Sequence, residues 1–251
     1  MKRTFIRLLT LCLSMVLIMS LIGCINYTPG TKIVVGNRDI VTKDQTLEQP
    51  LTGARTMSPI DLIIDPDLQD QVVLEGESNI LELVDVRQNG KGVLEVSFKP
   101  NIGITPTQTV QVFIPVFDGG LLETSSTGSI MAKDNVTLKG DTLELRISST
   151  GSINLSATVK KLKATDTSTG RIILSGSADQ ADIDLSSTGG FDGYSFLIGD
   201  ATVSVSSTGS AYVNVSGDLV GTISSIGNIV YDGNPASVTS KGGGMGSLKK
   251  R

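Results

Sequence analysis

Residues Thr142–Ala157 read TLELRISSTGSINLSA. Leu143, Leu145 and Ile147 alternate with polar residues before the central SSTG, and Ile153 and Leu155 resume the alternation after it. Strict period-two patterning describes strands with one face buried. The corner recurs: SSTGS stands at Ser125–Ser129, Ser148–Ser152 and Ser206–Ser210, with TSTGR at Thr167–Arg171, SSTGG at Ser186–Gly190 and SSIGN at Ser224–Asn228. By subtraction its glycines (Gly128, Gly151, Gly170, Gly189, Gly209, Gly227) are spaced 23, 19, 19, 20 and 18 residues apart. A degenerate seventh unit falls in Thr239–Gly244.

A catalytic motif occurs once per site, whereas a structural unit repeats, and a fixed period near 20 signals a solenoid. Two strands of about six residues and two turns fill one period, as in one rung of a parallel β-helix with rungs ~4.7–4.9 Å apart. An antiparallel meander with a hairpin at every STG has the same local spacing. Residue identity favours stacking, because successive hairpins have no need of one turn sequence. In a stack, like sits on like: hydroxyls can pass hydrogen bonds up a ladder, and glycine admits an approach that a Cβ would block. The expected fold is all-β, a parallel β-helix or β-solenoid behind an N-terminal β-rich region.

That region spans 32–117. VDVRQNGKGVLEVSF, Val84–Phe98, flanks Asn89-Gly90 with alternating apolar residues, a hairpin signal because both turn residues must tolerate positive φ. Ile60–Asp65, Gln71–Gly76 and Thr109–Pro115 also read as strands, and Ser78–Val84 as a short helical turn after a capping serine. Repeats occupy 118–244, and 245–251 reads as a flexible basic tail.

The first 24 residues, MKRTFIRLLTLCLSMVLIMSLIGC, pair a basic start (Lys2, Arg3, Arg7) with an apolar run, the plan of a secretory signal. LIGC, Leu21–Cys24, resembles the lipobox of bacterial lipoproteins. That resemblance implies a signal peptide at 1–23, cleavage before Cys24, acylation of Cys24 with palmitate-type chains, and a lipid-anchored tether at 24–31. An acyl chain binds a bilayer by about 0.8 kcal/mol per buried methylene. The expected location is the bacterial cell envelope, on a membrane and facing outside the cytoplasm. An ordinary cleaved signal or a single membrane anchor are the plainer alternatives.

Composition removes other functions. The 251-residue chain has no histidine, which excludes a Ser-His-Asp triad, a Cys-His pair and His-ligated metal. Both cysteines, Cys12 and Cys24, precede the body, so no disulfide framework or thiolate site is available there. Removing 1–23 takes three positive charges from a net charge of −4, leaving −7, which disfavours nucleic acid. No cofactor or metal is expected.

The order of features resembles the putative auto-transporter adhesin, head GIN domain family. VVLEGESNILELVDVRQNGKGVLEVSF is similar to that family's N-terminal segment, and Gly227, Ile229, Tyr231, Gly233 and Pro235 are similar to its closing signature. The corners depart from it, reading S-T-G-S where the family usually has S-G-S-G. The resemblance implies a right-handed parallel β-helix or β-solenoid body behind the N-terminal β region and an envelope or surface location, and the family carries no proven activity. Another departure is Asp166, which falls on the face of Leu162 and Ala164 where Ile147 stands one rung earlier. It either caps corner amides or marks a slipped strand.

Two function classes follow. The first is a non-enzymatic adhesion or scaffold module, with the membrane as partner through Cys24 and a cell-surface glycan or envelope protein as ligand. The alternative is a carbohydrate-active β-helix enzyme, a polysaccharide lyase or hydrolase. For it, Asp182 and Asp184 share an outward face and could act as acid and base. Aligned on the corners, however, Glu144, Lys163 and Asp182 form one outward column and Arg146, Thr165 and Asp184 the next. Mixed charge down a column is what an exposed sheet needs. No catalytic residue is therefore assigned. Asn154, Ser156, Ser175, Ser204, Asn214 and Ser216 complete a small polar face, with Tyr212, Tyr194 and Phe191 as candidate aromatics.

Overall fold

The computed structural model describes residues 32–133 and 136–251. Cys24 and the signal segment lie outside them. In chain order, β1 (Lys32–Val35), β2 (Ile40–Thr46), β3 (Gly53–Thr56), β4 (Ile60–Asp65) and β5 (Gln71–Glu77) lead to the single-turn helix α1 (Ser78–Leu81). Then come β6 (Val84–Gln88), β7 (Val93–Phe98), β8 (Ile102–Thr105), β9 (Val110–Pro115), β10 (Gly120–Thr124) and β11 (Ile130–Ala132). The longest strands follow: β12 (Thr137–Ile147), β13 (Ser152–Asp166), β14 (Arg171–Leu185) and β15 (Gly190–Val205). The chain closes with β16 (Ser210–Val215), β17 (Asp218–Ile223), β18 (Asn228–Gly233), β19 (Ser237–Lys241) and β20 (Leu248–Lys250).

From β10 onward every described pairing is parallel, so each STG is a stacked corner and the meander is excluded. A rung has three faces. In the rung that holds Gly170, the first face is Lys161–Asp166, the corner is 167–170, the second face runs from Arg171, and the third pairs Ser175–Ala178 with Ser156–Val159. Within the first and second faces inward residues alternate with outward ones. Leu143, Leu162, Ala181, Ala201 and Leu219 are buried in the first face, and Ile153, Ile172, Phe191, Ala211 and Ile229 in the second. This thin aliphatic core explains the aromatic poverty of the sequence: stacked coils bury one layer per rung.

The N-terminal region extends the same columns, but out of chain order. Gly53 pairs with Leu121 on one side and with Val93 on the other, so β3 lies between β10 and β7. In the second column β4 lies between β11 and β9. Only beyond them does the stack end: β6 lies antiparallel on β7, β5 antiparallel on β9, and β2 on β5. Antiparallel strands terminate a parallel stack because they offer no further coil. At the other end, β19 and β20 continue the columns onto β17 and β18. Residues 245–251 thus hold a rung strand where a tail was expected, and Gly246, not Gly244, stacks on Gly227.

Two local expectations change. The β6–β7 turn takes its positive φ at Gly92 (83°) and not at Asn89 or Gly90, because Asn89 Oδ1 accepts the Lys91 and Val93 amides and folds a longer loop. At α1 the cap position is Glu77, with no side-chain cap, so Ser78 does not cap it.

Candidate functional site

The repeated corner is a backbone ladder. Four corner glycines donate their N–H one rung down: Gly151 to Ser126 O (3.0 Å), Gly189 to Ser168 O (2.8 Å), Gly209 to Ser187 O (2.9 Å), Gly227 to Ser207 O (2.8 Å). Gly128, Gly151, Gly170, Gly189, Gly209 and Gly227 are all buried, while the preceding Thr or Ile is exposed. None of the six has positive φ; closeness is the constraint. A Cβ on Gly151 would sit 2.3 Å from Gly128 O, and one on Gly227 would sit 2.4 Å from Gly209 O. Hydroxyl-to-hydroxyl steps are sparse, as between Ser152 Oγ and Ser129 Oγ (2.9 Å), so the ladder is mainly backbone.

Asp166 is fully buried and in register with Ile147 below and Leu185 above, so the strand does not slip. Its Oδ1 accepts the Ser168 N–H at 2.9 Å, capping the corner, and its Oδ2 has no partner. Burial pushes its carboxyl above the usual range, against the lowering effect of the amides of Ser168 and Gly190.

Outside, Asp182 and Asp184 are exposed on β14. Asp182 shares its column with Glu144 and Lys163, and Asp184 shares the next with Arg146 and Thr165; Glu144 takes Arg146 at 2.8 Å and Lys163 at 3.3 Å. A groove of about 640 Å³ runs across these rungs where the third face bends into the first. Lys161 and Lys163 line one end and Asp182, Asp200 and Asp218 the other, over Ala181. Among the described residues no group of three His, Cys, Asp or Glu could hold a metal, and no helix is long and apolar enough to cross a membrane.

The aromatic assignment divides. Phe191 is fully buried, because it aligns with Ile172 and Ala211 in the inward column. Tyr194 and Tyr212 meet with ring centroids 5.0 Å apart at 36°. A bulge brings them together: β15 pairs Gly193 with Val213 but Leu197 with the very next residue, Asn214, looping out Tyr194–Phe196. The C-terminal Arg251 lies 4.7 Å over the Tyr194 ring. Nearby, Arg171 reaches across the rung to Asp192 at 3.5 Å. The pairing of Tyr194 with Tyr212 and the use of Arg251 had no periodic signal beyond the change in corner spacing from 19 to 20.

A family model described as "Putative auto-transporter adhesin, head GIN domain" matches residues 52–235. The chain belongs to this family. The matched span includes the swapped rungs as well as the repeats, so the head GIN domain is one continuous stack here. A putative adhesin from Bacteroides fragilis superposes with a TM-score of 0.77 at 17% identity, over 87% of this chain and 100% of that one. A putative adhesin from Parabacteroides merdae gives 0.64 at 21% identity, over 88% and 99%. A putative lipid binding protein from Parabacteroides distasonis gives 0.70 at 17% identity, over 88% and 100%. At these identities the likeness is one of fold. No curated protein matches.

Proposed function

We propose that this head GIN protein is a lipid-anchored, non-enzymatic adhesion module of the bacterial envelope. The observation that carries the reading is the stack itself. The first column holds nine strands among the described residues, from β7 to β19, which is roughly 38 Å of regular surface at ~4.8 Å per rung. Membership of an adhesin family supports a binding role over catalysis. The LIGC motif supports the anchor.

The geometry suits display. Seven residues, 25–31, separate Cys24 from Lys32 of β1, and the eight Cα steps reach at most ~29 Å. The described chain begins at the antiparallel-capped end, with β1 on β8 and β2 on β5. An anchor there leaves the Tyr194–Tyr212 rungs near the opposite end, away from the bilayer. Rigidity along the stack keeps that end at a distance, since each rung contacts only its neighbours.

The test is Cys24→Ala. Wild-type cells should incorporate radiolabelled palmitate into the protein and retain it in the membrane fraction. The variant should lose the label and be released, and attachment to host or bacterial surfaces should fall with it. Equal attachment by cells with and without the gene would end the adhesion reading.

A further inference from the structure

The glycine at position 190 has no structural cause. Its φ lies outside the left-handed region, and a Cβ there would meet only Ser210 O, at an ordinary 3.5 Å. Its neighbour Gly189 is forced, since a Cβ would run into the Asp166 carboxyl. Gly170 and Gly209 are likewise forced, at 2.3 and 2.4 Å. The same outward column carries Ser152, Arg171, Ser210 and Asn228. Glycine within a strand lowers stability, so its presence here points outward, to a space that a side chain would fill.

That space is a notch of about 290 Å³. Arg171 forms one wall, and its guanidinium lies 3.5 Å from Asp192, which is outside the lining. Tyr212 forms the other, in the column position directly after Asp192. The Thr188 hydroxyl and Ser210 rim it. The Tyr212 ring is steadied by Tyr194, whose ring is held in turn by Arg251.

We propose that this notch binds one neutral hexopyranose ring, the terminal sugar of a surface glycan. This deepens the adhesion reading and rests on it. A pyranose has an apolar C–H face and a polar hydroxyl edge. The electron-rich face of Tyr212 attracts the polarised C–H groups. Arg171 offers guanidinium donors to two vicinal hydroxyls, and Asp192, 3.5 Å from it, cancels its charge, which disfavours an acidic or an amino sugar. The volume lies at the small end of ligand pockets, which suits one ring and not a chain.

The experiment uses the full-length protein in a zwitterionic detergent. Methyl α- and β-glycosides of D-glucose, D-galactose, D-mannose and N-acetyl-D-glucosamine are screened by saturation-transfer NMR, then titrated. At least one should bind, with saturation strongest on its ring C–H protons. Tyr212→Ala and Gly190→Leu should each weaken it about three- to tenfold, the scale of one lost aromatic contact. Ser152→Leu, in the same column two rungs away, should bind as wild type. If Gly190→Leu loses its β spectrum, Tyr212→Ala and Thr188→Val decide instead. A panel with no binder, or binding unchanged by Gly190→Leu or Tyr212→Ala, overturns the proposal. Sugar binding without any surface attachment would sink the adhesion reading and leave the notch standing.

Discussion

A single methyl group added to Gly209 tests the stacking directly. In Gly209→Ala the new Cβ would lie 2.4 Å from Gly189 O and 3.0 Å from Ser187 O, both backbone atoms. Neither can rotate away as a side chain would, so the two coils must part at the corner. Two ladder bonds hold them there: Gly209 N–H to Ser187 O at 2.9 Å and Ser206 N–H to Leu185 O at 2.9 Å. Weakening both costs about 2 kcal/mol, and overpacking adds about 1–3 kcal/mol. A loss of about 3–5 kcal/mol follows, which for a domain of this size lowers Tm by roughly 6–20 °C. Gly190→Ala is the control, one rung earlier and one residue past its own corner. Its Cβ has room and its φ is unremarkable, so a gain of about 0.4–1 kcal/mol is expected from the less flexible unfolded chain. Thermal melts followed by circular dichroism compare the two. If Gly209→Ala melts within about 2 °C of Gly190→Ala, the corner glycines are not held by stacking and the argument from repetition collapses.

Four further outcomes are expected. Asp166→Val, which copies the Val205 found two rungs on, should stabilise the protein at pH 7 by about 1 kcal/mol, removing a buried carboxylate at the cost of the Ser168 cap. Because burial raises the folded-state pKa of Asp166, the wild type regains stability as pH falls through that raised value, so the advantage should shrink toward pH ~4; a constant gap in denaturation midpoints would contradict this. Glu77 behaves oppositely: although burial opposes it, hydrogen bonds from Thr107 and the Arg38 amide hold its carboxyl below the usual range, so its contribution is present above pH ~4.5 and lost below; Glu77→Gln should lower Tm at pH 7, with the difference narrowing in acid. Phe191→Ala should cost about 3–5 kcal/mol, read from urea midpoints, because the ring is fully buried between Ile172 and Ala211. Deleting residues 32–117 should bare the edges of β10 and β11 and give aggregates by light scattering, whereas a soluble β-rich monomer would show that the stack needs no cap.

The rung period and the inward residues were legible because they are local. Leu143, Leu145 and Ile147 declare a face within five residues, and a glycine every nineteen or so marks the corner. The parallel register follows those spacings, with offsets of 19 for β12 on β13 and β13 on β14. What escaped depends on distant pairings. Nothing in the segments of β3 and β4 announces that they will slip between β10–β11 and β7–β9, since any apolar strand end offers the same unpaired groups. The Tyr194–Tyr212 contact needs a three-residue bulge that periodicity averages away. Phe191, read from sequence as a candidate surface aromatic, is drawn inside because the column counts from the bulge-free half of its strand.

The sequence by itself determined that this chain coils, where each coil turns, and that histidine chemistry is closed to it, because alternation, repetition and composition are properties of short stretches. Tertiary structure alone decided the order of the first rungs, the burial of Asp166 and the empty space above Gly190. Those depend on which coil lies against which, and a glycine looks the same in a string of letters whether a neighbouring carbonyl forbids its side chain or nothing does.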